Sequence, residues 1–147
     1  MLAWHPVCAA IAAQRPNWPP GTAHGYHVRS YGWILGEVVR RATGMTLGEC
    51  FRREFAEPLG LDFWIGLPQE FEPRVARMIA YPPDDKARNS RIALAMRADP
   101  MGPTGRFMLN GGGFNANSRE GHAAEIGSAN GVTNARESHL PGIMAHR

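Results

Sequence analysis

Tyr26 is the best-placed candidate for chemistry in this sequence of 147 residues. It follows Trp18-Pro19-Pro20-Gly21-Thr22-Ala23-His24-Gly25, a stiff Pro/Gly turn that opens into a short loop. A tyrosinate serves as a general base when nearby cations lower its pKa from about 10. His24, His27 and Arg29 supply local positive character. The alternative is a tyrosine that packs its ring on the helix after it, and spacing alone favours that.

Other nucleophilic or metal chemistry finds little support. The serines stand at 30, 90, 118, 128 and 138, and none lies in Gly-x-Ser-x-Gly; Gly127-Ser128-Ala129-Asn130-Gly131 comes close without matching. Lys86 is the lone lysine, and a Ser-x-x-Lys pair would need serine where Pro83 stands. Lys-Thr-Gly is also absent. Glu54, Glu57, Asp62, Glu70 and Glu72 read as surface carboxylates with no evident pairing. The six histidines form no His-x-x-x-His pair, and Cys8 and Cys50 are far apart, so no zinc spacing appears. Both cysteines read as small core residues. Asn110-Gly111-Gly112-Gly113 lacks the Gly-Lys-Ser/Thr ending of a phosphate loop and reads as a turn.

Composition bounds the rest. With 44% hydrophobic and 20% charged residues, the chain suits one domain with a modest core. Its net charge of +3 comes from scattered basic residues that do not interleave with aromatics. That pattern reads as a solvated surface, not a nucleic-acid-binding face. No apolar run has the length of a membrane span. The N-terminus has no basic region followed by an apolar run, so the expectation is a cytoplasmic chain.

The elements that must hold Tyr26 are legible around it. Residues 5–15 predict a short helix, ended by Pro16. Ser30 to Thr43 predict the strongest helix, with Tyr31, Ile34, Leu35, Val38, Val39 and Ala42 on one apolar face. Gly44 suits its C-terminus. Thr46-Leu47-Gly48-Glu49 is a capping box that opens a second helix, closed by Pro58 and paired with the first as a hairpin. Residues 61–67 read as a short strand or a packed loop, and 73–80 as helix or strand. From 82 to 105 an irregular excursion is expected, with one candidate helical turn at 91–98, and another turn is expected at 122–126. Residues 1–134 are read as the domain and 135–147 as a loose tail.

Six elements stand in order along the chain: Pro20-Gly21-Thr22, Tyr26-His27-Val28, Tyr31-Gly32, Leu35-Gly36-Glu37, Thr43-Gly44 and Pro58-Leu59-Gly60-Leu61. In type and spacing they resemble the serine β-lactamase-like hydrolases: class C β-lactamases, penicillin-binding proteins and family VIII esterases. The runs at 61–68 and 72–76, and 117–119 through 129–131, look like the esterase branch. The resemblance covers roughly residues 4 to 134.

It implies an α+β fold, of which this chain is the mainly helical part of a β-lactamase/transpeptidase-like domain with most of the antiparallel sheet missing. It also implies hydrolysis through an acyl-enzyme, with Tyr26 in the position of the catalytic tyrosine, which reverses the reading from spacing alone. Val28 stands where lactamases carry asparagine, which favours esters over lactams. His27, Val28 and Trp33 are the candidates for substrate binding, with core packing the alternative for Trp33. A small-molecule ester or acyl compound is the implied substrate, and no metal or organic cofactor is implied. The family's serine–lysine motif would fall before residue 1 and its third motif after residue 147. The chain therefore reads as the middle of a larger hydrolase (a gene fragment, a truncated reading frame or a frameshifted copy), incomplete as an enzyme alone. A non-catalytic binding remnant and a penicillin-recognising enzyme are the other readings. Apolar surface that the sheet would cover predicts self-association.

Overall fold

A computed structural model describes residues 3–25, 27–79, 82, 84–109 and 114–135. Helix α1 spans Trp4–Ala13, with Pro6 in its first turn, where a missing N–H costs little. It stops short of residue 15 because Gln14 is already extended. Pro16 pushes the residue before it out of the helical region as well.

Helix α2 spans Ser30–Thr43 and ends on Gly44, whose φ of 76° is the left-handed conformation that glycine adopts freely. Arg40 and Arg41 lie in its last turn, where cations favour the helix dipole. Its orientation differs from the expected one. Gly32, Trp33 and Gly36 are buried, while Tyr31, Ile34, Leu35 and Val38 are 37%, 40%, 59% and 60% exposed. The glycines decide this. A β-carbon on Gly36 would lie 2.4 Å from the Trp4 ring, and one on Gly32 would lie 2.7 Å from the Ser128 backbone nitrogen. Neighbours approach the side of α2 where side chains are smallest.

The Thr46 capping box forms in both directions: Glu49 N–H donates to Thr46 Oγ1 (3.2 Å) and Thr46 N–H to Glu49 Oε2 (2.8 Å). It starts α3, Leu47–Phe51, which widens into a π-helical turn over Arg52–Ala56 and tightens again into α4, Glu57–Leu59. Pro58 sits within this last piece and does not end it. Gly60 does, at φ 63°. Helices α2 and α3 pack on each other.

Strand β1, Trp64–Ile65, pairs antiparallel with β2, Gly131–Val132, with Trp64 opposite Val132. A 3-10 helix covers Gln69–Arg74, and residues 75–79 have no regular element. The stretch expected to be irregular carries three short helices: α5 (Asp85–Arg88), α6 (Arg91–Ala98) and α7 (Pro103–Leu109). Asp84 and Ser90 cap the first two, each accepting from a backbone N–H three residues on. Helix α8, Arg119–Ala123, is capped the same way by Ser118. The core joins Trp33 to Ala124 and Ile126, with Trp4, Val7, Cys8, Ile11 and Phe114 packed against them. The architecture is mainly helical with a two-stranded sheet, as expected. The expected turn at 110–113 and the tail beyond 135 lie outside the described residues. Among the described residues, no helix is long and apolar enough to cross a membrane.

Candidate functional site

The loop leading into α2 is built from its turn outward. Thr22 N–H donates to Pro19 O (3.1 Å), and the Thr22 hydroxyl donates to the same carbonyl (2.7 Å). Gly21 completes the turn at φ 83°. Gly25 lies so close to the Trp18 ring that a β-carbon there would sit 2.8 Å from it. The stiff turn thus holds the chain close to Trp18 just before position 26. Tyr26 itself lies outside the described residues.

Beyond it, His27 is exposed, and its Nδ1 is 2.9 Å from Ser30 Oγ at the first position of α2. Val28 is half-buried. The Ser128 hydroxyl donates to Arg29 O (2.7 Å), so a residue 99 positions away pins the start of α2. Ser128 belongs to a loop organised by Asn130, which is 7% exposed. The Asn130 side chain accepts from Ile126 N–H (2.8 Å) and donates to Gly121 O (2.9 Å) and Ala124 O. One side chain satisfies three backbone groups that would otherwise be buried unpaired.

Of the four sequence candidates, His27 and Val28 lie together in this loop. Trp33 lies one turn further along α2 and is 3% exposed within the hydrophobic core, which is the packing alternative. Ser30 and Ser128, which match no serine-nucleophile motif, place hydroxyls next to the loop.

Four of the five surface carboxylates prove to be paired. Glu72 Oε1 is 2.8 Å from His122 Nδ1, and its Oε2 accepts from Arg119 (3.0 Å). The other His122 nitrogen is 2.8 Å from Ala116 O. Burial opposes ionisation of Glu72, but the hydrogen bonds from His122 and Arg119 outweigh it and hold the carboxyl below its ordinary range. Asp62 is also held low, by the Trp64 indole N–H at 2.9 Å and by Arg74. Glu57 pairs with Arg52 (2.7 Å) and Glu54 with Arg53 (3.2 Å). Partners 47 and 50 residues apart in the Glu72 cluster leave no local signal in the sequence. Glu37 is the most strongly stabilised carboxylate. Hydrogen bonds from Arg40, then Trp4 and Arg41, push its pKa far below the usual carboxylate range. Glu37 ties α1 to α2, and Glu72 ties the 3-10 helix to α8. Among the described residues, no group of three or more His, Cys, Asp or Glu side chains is arranged to hold a metal ion.

The run from the Pro/Gly turn through α2 and the capped α3 is also the run that carried the family resemblance. A family model described as Beta-lactamase matches residues 2–138. The chain belongs to the beta-lactamase family. Esterase/beta-lactamase LipL of Mycobacterium tuberculosis is 38% identical over 117 residues, which is 76% of this chain and 27% of LipL. A penicillin-binding protein homologue from Caulobacter crescentus aligns over 97% of this chain and 36% of its own, with a TM-score of 0.67 and 34% identity. EstA of Arthrobacter nitroguajacolicus aligns over 90% of this chain and 36% of its own, with a TM-score of 0.58 and 33% identity. This family member therefore spans about a quarter of the length of LipL and about a third of each of the two solved structures, and its helices correspond to that part of the fold.

Proposed function

We propose that this chain is the tyrosine-bearing part of a serine-dependent carboxylesterase that works through an acyl-enzyme. The observation that carries the reading is the Tyr26-His27-Val28 loop at the head of α2, in a chain that belongs to the beta-lactamase family. An ester substrate is supported by the name of LipL, Esterase/beta-lactamase, which names a lactam activity beside it. In this reading Tyr26 moves the proton between serine and leaving group. His27 and Val28 border the acyl compound. Valine has no hydrogen-bonding side chain with which to meet a lactam's amide. The 147 residues hold no Ser-x-x-Lys, so the acylated serine is supplied from outside them.

The penicillin-recognising reading has its own support in the Caulobacter homologue, the structure with the higher TM-score of the two. Val28 weighs against it.

The purified chain is expected neither to hydrolyse a short-chain p-nitrophenyl ester nor to be labelled by a fluorophosphonate. Labelling would locate a nucleophile within these residues, with Ser30 and Ser128 first to test. A chimaera with this chain in place of the matching third of EstA tests the tyrosine. Tyr26→Phe should lower its esterase rate by about 10²–10⁴-fold, the usual worth of a general acid–base. An unchanged rate would remove Tyr26 from the mechanism.

A further inference from the structure

A cavity of about 500 Å³ lies where the 3-10 helix and β1 face α8 and β2. That volume falls in the range of small-molecule sites. Its apolar wall includes Trp64, Phe71, Phe114 and Val132, all half-buried. The Trp64 and Phe71 rings are 4.8 Å apart.

The charged groups in the wall are already matched. Asp62 is paired with Arg74, and His122 is held between Glu72 and the Ala116 carbonyl. A charged ligand would lose its water and meet no free counter-ion among these groups, which costs far more than moving a neutral molecule. Thr133 also lines the cavity. The residue is half-exposed, yet its hydroxyl is shielded and has no hydrogen-bond partner. Turning the side chain about Cα–Cβ carries the hydroxyl to another staggered position, from which it would donate to a ligand carbonyl in the cavity.

We propose that this cavity binds an uncharged aromatic compound carrying one carbonyl, with the ring against Trp64 and Phe71 and the oxygen accepting from the Thr133 hydroxyl. The proposal concerns binding only and does not depend on the chain being a hydrolase.

Acetophenone is the test ligand and benzoate its charged counterpart. Each is titrated into the nitrogen-15-labelled chain while the Trp64 indole N–H is followed by NMR. That N–H donates to Asp62 at the cavity wall. Acetophenone should shift the Trp64 signal saturably, and benzoate should bind at least about tenfold more weakly. Thr133→Val removes one neutral hydrogen bond, so acetophenone affinity should fall about two- to tenfold. The substitution replaces an unpaired hydroxyl by a methyl and should leave the free chain folded. Val132→Phe should fill the space and abolish binding. A Trp64 signal that does not saturate, benzoate binding as tight as acetophenone, or unchanged affinity in Thr133→Val would each overturn the proposal.

Discussion

The two faces of α2 differ in apolar content, and the one with fewer large apolar side chains is the one that is buried. One presents Gly32, Trp33 and Gly36 and is buried; the other presents Tyr31, Ile34, Leu35 and Val38 and stays exposed. Counting large side chains would choose the second face as the core. Packing chose the first, because glycine lets the Trp4 ring and the Ser128 backbone come within contact of the helix. One large residue, Trp33, then fills the space between the close approaches. Close packing with matched shapes gains contacts that a looser apolar stripe does not make.

The sharpest way to break this comparison is to truncate one residue on each face. Trp33→Ala should lower unfolding free energy by about 3–5 kcal/mol, the usual cost of emptying a buried aromatic site. Leu35→Ala, on the exposed face, should change it by no more than about 0.5 kcal/mol. Urea unfolding of both variants checks this, and equal losses would mean that both faces are packed. Asn130→Ala tests the clamp behind the buried face. It leaves Ile126 N–H and two carbonyls without their partner, so a loss of about 1–3 kcal/mol is expected. The Ser128 contact to Arg29 should loosen with it, visible as faster amide exchange in the first turn of α2.

What the sequence reveals in advance follows the same division. Helix α2 begins and ends at the residues its pattern predicts, and the Thr46 capping box forms as written, because caps and periodicity are local. The side of α2 that faces inward is not local: it depends on Trp4 and Ser128, which periodicity does not identify. The π-helical turn at Arg52–Ala56 leaves no mark in the sequence either, and Pro58 is tolerated near a helix start where its type predicts a stop. Around 82–105, the Asp84 and Ser90 caps are present in the sequence but outweighed by the Pro-rich, polar composition. The candidate site divides likewise. The position of His27 and Val28 just ahead of α2 is legible from the helix pattern, while their candidacy comes from the family resemblance. The Asn130 clamp and the Glu72–His122–Arg119 cluster join segments far apart in sequence and become visible only in three dimensions.

Glu37 marks the edge of the buried face and brings pH into the comparison. Its carboxylate accepts from the Trp4 indole at 2.9 Å and from Arg40 and Arg41. A carboxyl whose folded pKa is depressed contributes stability above its unfolded pKa and loses it as pH falls towards the folded value. Acidification from neutral pH through the ordinary carboxyl range should therefore lower the melting temperature. In Glu37→Gln that slope should be shallower. Parallel slopes in the two proteins would mean that the Glu37 cluster does not couple folding to pH.

The smallest expected effect on stability comes from the exposed face, and there the informative readout is association. Leu35 and Val38 are 59% and 60% exposed, one turn apart in pattern with Tyr31 and Ile34. An exposed apolar stripe of this kind favours contact between molecules. Leu35→Gln combined with Val38→Gln should leave unfolding free energy within about 0.5 kcal/mol of the parent chain, as expected for surface changes. Sedimentation velocity should show the parent chain associating as concentration rises and the double variant remaining smaller at the same concentration. If both sediment alike, the stripe does not drive association. If the double variant instead unfolds easily, the face that carries Leu35 and Val38 is packed in solution, and the contrast between the two sides of α2 fails.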